Sequence, residues 1–135
     1  MNKKEIIDKI HDRSSSTMVE TLGIKIIDIG ENFVFGKMPV DKRTKQPFGL
    51  LHGGASVALA ETLGSIGAGM NIDQSSQSVV GIEINANHLK AVKTGWVFGE
   101  ATAIRVGRKI QVWEIDIKNE DSDFVCKSRL TLAVI

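Results

Sequence analysis

The sequence predicts an α+β fold in which a curved antiparallel sheet wraps around one long central helix. From Gly53 to Met70, small and apolar residues cover every side of the helical wheel, and Glu61 is the only formal charge. A helix that is apolar all round must be enclosed. Six β-rich runs flank this helix, two before it and four after it, with short turn signals between them. A sheet is therefore the element available to enclose the helix.

The elements before the central helix are short. Asn2 to His11 carries isoleucines on one narrow face, so we expect a short docking helix there. Thr17 to Glu20 has the spacing of a capping box, and Gly23 supplies a stop, which together predict a helix of one or two turns. The runs 24–29 and 33–40 flank a glycine-containing turn and predict a hairpin.

The four later β-rich runs complete the order β-β-α-β-β-β-β. Their short connections favour an antiparallel meander, and the apolar helix requires that the sheet curve around it, which is the hotdog architecture. Such a sheet leaves edge strands unpaired, so we expect a second copy to pair with one of them and form a dimer. The four runs are residues 78–91, 96–104, 110–118 and 124–135.

Composition excludes several classes of protein. A length of 135 residues predicts a single domain spanning 1–135. The 17 basic and 16 acidic residues nearly cancel, so we expect neither nucleic acid nor a membrane surface as a partner. The apolar helix is short for a membrane span and contains Glu61. A lone cysteine, Cys126, and a polar segment from Met1 to Arg13 predict a cytoplasmic protein.

Three polar residues lie where the chain is otherwise apolar, and they are Gln46, His52 and Glu61. An exposed loop position would explain Gln46, and a helix-capping role would explain His52. A buried carboxylate is costly without a partner, and no basic residue lies three or four places from Glu61. We therefore favour a functional role for Glu61 and leave both readings open for the other two.

Helix geometry separates two candidate groups. The free N–H groups at Gly53 and Gly54 suit a carbonyl oxygen or an anion. Glu61 follows Gly53 by ~12 Å along the axis and ~80° around it, so one helix cannot direct both groups at one carbonyl carbon. If both act in one reaction, Glu61 must come from a neighbouring chain. Ser65, one turn beyond Glu61, either orients that carboxylate or eases helix packing.

Other catalytic patterns are absent from the sequence. It contains no GxxxxGK[ST], GxGxxG or HExxH motif, and one cysteine excludes thiolate zinc sites. The spacing of His52, Glu61 and His88 fits no compact metal motif, so we expect no metal. Ser56 is not framed as a GxSxG elbow, which disfavours a serine hydrolase.

Residues 46–61, which read QPFGLLHGGASVALAE, resemble the hotdog thioesterases of the phenylacetate-pathway and 4-hydroxybenzoyl-CoA type. Residues 79–88 and 111–115 extend the similarity over most of the chain. Within that superfamily the chain is similar to bacterial 1,4-dihydroxy-2-naphthoyl-CoA hydrolases of menaquinone synthesis and to enterobactin proofreading thioesterases. The resemblance implies thioester hydrolysis without a cofactor, a dimer with a shared active site, and a dimer of dimers, hence a homotetramer.

The resemblance also implies roles for individual residues. Glu61 takes the place of the nucleophile or general base, and the backbone N–H of Gly53 polarises the thioester oxygen. His52 and Gln46 match residues that position the thioester and the leaving thiolate or water. Ser65 matches a hydroxyl position one turn after the glutamate.

A second group of residues matches positions that hold coenzyme A in relatives. Lys90 stands where relatives often have arginine, which keeps the charge but not the bidentate geometry. Lys90, Arg108 and Lys109 are alternatively explained as solvent-exposed charges without a binding role. Phe48, Met70 and the short helix from Thr17 to Leu22 are candidate walls of the acyl pocket. The residues matched to coenzyme A binding are Gly81, His88, Lys90, Arg108 and Lys109, with Phe48 as a further substrate contact.

The resemblance therefore implies hydrolysis of an acyl- or aryl-CoA to the free acid and CoA, with 1,4-dihydroxy-2-naphthoyl-CoA as the expected substrate. A broad proofreading thioesterase that acts on CoA or acyl carrier protein thioesters is one alternative. A noncatalytic acyl-CoA sensor is another.

Overall fold

The computed structural model describes residues 1–135 and confirms the α+β hotdog prediction. Two short helices precede the predicted order of strands and central helix. All strand pairs are antiparallel and form one sheet in the order β1-β2-β4-β5-β6-β3. The elements are α1 (Lys3–Arg13), α2 (Met18–Thr21), β1 (Lys25–Ile29), β2 (Phe33–Val40), α3 (Gly53–Gly69), β3 (Val79–His88), β4 (Gly95–Val106), β5 (Ile110–Lys118) and β6 (Phe124–Val134).

The expected four-strand meander is wrong, because β3 pairs with β6 and not with β4. The β1-β2 hairpin occupies one edge of β4 and β5 occupies the other, so the free edge of β6 is left for β3. The connection between β3 and β4 crosses the end of the sheet. There the N–H of Leu51 donates to the carbonyl of Val92 at 2.8 Å, which ties this connection to the loop before α3.

The central helix packs closely on the sheet because both surfaces carry glycines. Gly36 and Gly99 are cross-strand partners in β2 and β4. A Cβ at either one would lie 2.8 or 2.7 Å from a methyl group of Leu63, which is fully buried. On the helix side, a Cβ at Gly67 would lie 2.6 Å from the ring of Trp113. The separation and rotation of α3 on the sheet are therefore fixed by atomic contact.

A buried polar pair closes the end of α3. The side-chain amide of Gln111 donates to the carbonyl of Ala68 at 3.2 Å, and the indole N–H of Trp113 donates to Gln111 Oε1 at 2.9 Å. Both side chains are fully buried. The pair satisfies one of the carbonyls that a helix C-terminus leaves without a partner.

The N-terminal helices form as predicted but with one difference in their hydrogen bonds. Gly23 ends the α2 region with φ +73°. The predicted capping box is not formed, since the Thr17 side chain accepts no bond from the helix and its hydroxyl donates to the carbonyl of Ser14 at 2.6 Å. Helix α1 covers the edge strand β1, where His11 Nε2 accepts from the N–H of Ile26 at 3.0 Å. None of the helices has the length and hydropathy needed to cross a bilayer.

We predict that Gly99→Ala lowers the free energy of unfolding by about 1–3 kcal/mol, because the new methyl group overpacks against Leu63. Gly69→Ala is the matched control, since a Cβ there meets no atom within 4 Å. Urea unfolding of both variants measures the difference. Equal stability of Gly99→Ala and the wild type would contradict the tight seating of α3.

Candidate active site

At the N-terminus of α3, one backbone N–H has no hydrogen-bond acceptor in the chain. His52 is the N-cap, and its Nδ1 accepts from the N–H of Gly54 at 2.7 Å. An Nδ1 that accepts must be unprotonated, so the neutral ring carries its proton on Nε2. The N–H of Gly53 donates to no group in the chain. The partial positive charge of the helix end and this free donor suit an oxygen that becomes negative.

A cavity of about 430 Å³, which we call the helix-end cavity, opens beside Gly53. Gln46 Oε1 accepts from the N–H of Phe48, so its amide Nε2 remains available as a donor. A Cβ at Gly53 would lie 2.8 Å from His88 Nε2, so the imidazole packs directly against the glycine. The cavity is lined by Gln46, Leu50, Leu51, Gly53, Ser56, His88, Leu89, Lys90, Ala91 and Val125.

Lys90 is the cation of this cavity and has a partner in the chain. Its ammonium lies 2.9 Å from Asp123 Oδ2, and both side chains are about half exposed at 52% and 49%. The hydrogen bond to Asp123 raises the pKa of Lys90 and lowers the pKa of the carboxyl. Lys90 therefore stays charged at neutral pH, while Asp123 offsets part of that charge.

Glu61 lies in a different cavity, of about 440 Å³, which we call the Glu61 cavity. Its side chain is half-buried and takes part in none of the six ion pairs. Ser65 lines the same cavity, as the one-turn spacing predicts. The walls are mostly apolar and comprise Ile10, Ser14, Met18, Val19, Leu22, Ile24, Ala58, Glu61, Thr62, Ser65 and Ile66.

The two cavities share no residue, so one chain does not bring Glu61 to the helix end. Gln46, Gly53 and His88 line one cavity, while Glu61 and Ser65 line the other. This separation agrees with the helix arithmetic. A reaction that needs both groups therefore needs two chains.

Strand β3 runs past both Glu61 and Gly53. Gly81 lies against the carboxylate of Glu61, and His88 lies against Gly53. The strand is an edge of the sheet, with Val80 and Ile82 exposed by 46% and 58%. The start of this edge strand thus exposes two apolar side chains close to Glu61.

The other predicted binding residues lie outside both cavities. Phe48 is 89% exposed at the tip of its loop. Arg108 and Lys109 lie in the β4-β5 turn, where the carbonyl of Lys109 accepts from the N–H of Val134 at 2.9 Å. Because Val134 pairs with Val79, this turn lies near the start of β3, whereas His88 ends that strand.

Of the candidate pocket walls, the short helix α2 does line the Glu61 cavity, through Met18, Val19 and its C-cap residue Leu22. Phe48 and Met70 do not line it. Sequence reasoning missed the contribution of α1, whose Ile10 is a wall of this cavity. The isoleucine face of α1 was the available signal, since an amphipathic helix has to cover something apolar.

Comparison with known proteins identifies the family. Residues 48–126 match the model of the thioesterase superfamily. A crystal structure of a thioesterase from Haemophilus influenzae is 50% identical, covers 96% of this chain and 90% of its own, and superposes with a TM-score of 0.92. The proofreading thioesterase EntH of Cronobacter sakazakii is 48% identical over 129 residues, 96% of this chain and 93% of the relative. The 1,4-dihydroxy-2-naphthoyl-CoA hydrolase of Escherichia coli K12 is 44% identical over 133 residues, 98% of this chain and 97% of the relative. The chain therefore belongs to the thioesterase superfamily and is a thioester hydrolase.

Proposed function

We propose that this protein hydrolyses an aryl-CoA thioester, with 1,4-dihydroxy-2-naphthoyl-CoA as the substrate and menaquinone synthesis as the context. The observation that carries the proposal is the apolar cavity beside the unpaired carboxylate of Glu61. Its apolar walls suit an aromatic acyl group that carries little charge. The name of the Escherichia coli relative supports the particular acyl group.

We propose that the working form contains at least a dimer joined through the free edges of β3, and that two dimers associate into a tetramer. An antiparallel pair of β3 strands, related by a two-fold axis near the middle of the strand, places the Gly81 end of one opposite the His88 end of the other. Because Gly81 adjoins Glu61 and His88 adjoins Gly53, the two cavities then meet across the interface. Pairing also gives Val80 and Ile82 cross-strand neighbours on the partner chain.

In the proposed site, the N–H of Gly53 on one chain donates to the thioester oxygen, and Glu61 of the other chain acts on the carbonyl carbon. As a nucleophile, Glu61 forms an acyl-glutamyl anhydride and expels the CoA thiolate, and water then hydrolyses the anhydride. As a general base, it takes a proton from a water that attacks directly. Either route consumes one water and releases the acid and CoA.

The remaining candidate residues have roles in the same proposal. The Nε2 amide of Gln46 and the ring of His52 position the thioester and the leaving thiolate or water. The hydroxyl of Ser65 orients Glu61 or a water. His88, Lys90 and, from the other end of β3, Arg108 and Lys109 hold the pantetheine arm and the phosphates, and Phe48 contacts substrate.

We also propose that the protein works in the cytoplasm. Cys126 is unpaired and buried, and burial raises the pKa of its thiol. A free thiol suits a reducing compartment. Cell fractionation with an antibody to the chain tests the location, and recovery outside the cytoplasmic fraction would contradict it.

We predict that Glu61→Gln lowers kcat by about 1,000-fold or more, because an amide neither attacks a thioester nor accepts a proton from water. Steady-state hydrolysis at neutral pH, followed by release of the CoA thiol, measures the effect. The matched control is Glu100→Gln on the outer face of β4, which is exposed and should keep the wild-type rate. Wild-type turnover in Glu61→Gln would contradict the mechanism.

We predict that 1,4-dihydroxy-2-naphthoyl-CoA outcompetes benzoyl-CoA and a medium-chain acyl-CoA, because the larger aromatic group contacts more of the apolar wall of the Glu61 cavity. The ratio of kcat/KM values in mixed-substrate reactions measures this preference. Equal values for all three would instead favour a broad proofreading thioesterase. Tight binding of all three without hydrolysis would favour the sensor.

We predict that Ile82→Lys weakens the dimer and makes the specific activity depend on protein concentration, since a charge on the β3 edge opposes strand pairing. Ile104→Lys is the control, because Ile104 is 51% exposed but lies on an inner strand. Sedimentation and activity are measured over the same dilution series. A fully active monomer of Ile82→Lys would overturn the shared site.

A further inference from the structure

Gly81 faces the carboxylate of Glu61 so closely that no side chain fits between them. A Cβ built on Gly81 would collide with Glu61 Oε2. The next nearest atoms are Glu61 Cδ at 3.6 Å and a methyl of Leu130 at 3.7 Å, both at ordinary contact distance. The space that a side chain at position 81 would need is therefore taken by the carboxylate alone.

The backbone at Gly81 does not itself require glycine. Positive φ occurs at Gly23, Gly49 and Gly95, but not at Gly81. A glycine inside a strand weakens the strand and often marks a bulge or a close approach. What glycine provides at this position is room.

A bulge at the same place bends the strand beside Glu61. The register of β3 against β6 shifts between Gly81, which pairs with Leu132, and Glu83, which pairs with Thr131. Bulges are enriched beside active sites, where they change the direction of side chains and local backbone. The bulge and the missing side chain both shape the backbone surface that faces the Glu61 carboxylate.

We propose that Gly81 is a positioning residue for Glu61, because its bare backbone forms the surface against which the carboxylate rests. This inference relies on the proposed function only in taking Glu61 as the reacting group. It differs from a pantetheine-binding role for Gly81, which would act on substrate affinity and not on the direction of the carboxylate.

The predicted consequence is a loss of rate with little loss of stability. The atom that a methyl at position 81 would meet is the far end of a flexible side chain, so Glu61 can rotate away at small cost to the fold. Rotation moves the carboxylate by about 1 Å or more, and a shift of that size in a reacting group costs roughly 100-fold in rate.

The test compares Gly81→Ala with Gly69→Ala, whose added methyl meets nothing within 4 Å. We expect Gly81→Ala to lower kcat by roughly 100-fold, to change KM by less than about threefold, and to shift the acid limb of the kcat/KM profile. Gly69→Ala should leave all three unchanged. A wild-type kcat and pH profile in Gly81→Ala would overturn the inference, and so would a rise in KM alone, which is what pantetheine binding predicts.

A double-mutant cycle with Glu61→Asp separates positioning from a general disturbance. The shorter side chain withdraws the carboxylate from Gly81, so Gly81→Ala should cost less than about threefold in that background. If the two substitutions instead act independently, so that the fold losses in kcat of the single variants multiply in the double variant, the inference is overturned. If Gly81→Ala lowers Tm, adding Glu61→Ala must restore Tm to that of Glu61→Ala alone, and failure to do so would also overturn it.

The same set of variants distinguishes the two proposals. Full turnover in Glu61→Gln defeats the proposed function and this inference together. A large loss in Glu61→Gln combined with wild-type kinetics in Gly81→Ala defeats only the inference.

Discussion

The contact between Leu63 and the cross-strand glycines Gly36 and Gly99 fixes how the central helix sits on the sheet. Because successive residues turn by about 100° around a helix, Glu61 and Leu63 point in directions about 160° apart, on nearly opposite sides of α3. The seating that buries Leu63 therefore directs Glu61 away from the β2-β4 side. It brings the carboxylate to the edge strand β3 and to the space beneath the N-terminal helices.

The start of α3 offers one free backbone donor. The N–H of Gly54 donates to the ring of His52, so the N–H of Gly53 is the donor that stays free. A preorganised donor of this kind typically contributes about 100- to 1,000-fold to the rate of acyl transfer. The donor and the carboxylate of Glu61 lie in separate cavities. In the proposed dimer, each active site therefore takes its donor from one chain and its carboxylate from the other.

The sequence predicts local features well because their causes are local. The apolar wheel of α3, the six strands and the stop at Gly23 all follow from patterns within a few residues. The partner of β3 was not predictable in this way, since it depends on β4 already having both edges occupied by β2 and β5. Short connections favoured a meander, and competition for strand edges overrode them.

In the candidate site, too, features with local causes were predictable and contacts between distant residues were not. The resemblance and helix spacing identify Glu61 and Gly53 and place them apart, as the cavities do. The contact of Gly81 with Glu61 joins residues twenty positions apart, and no short-range pattern indicates it. Thr17 shows the opposite failure, because a short-range capping pattern was present while the hydroxyl bonded elsewhere.

The central claim is that Glu61 of one chain acts with Gly53 of another, and hybrid dimers test it most directly. Chains with Glu61→Ala are mixed with chains that carry Gly53→Val, each inactive alone, and verified heterodimers are assayed for hydrolysis. A hybrid should contain one intact site out of two and recover up to about half of the wild-type rate, because both defects fall in the other site. Verified heterodimers as inactive as either parent would contradict the shared site.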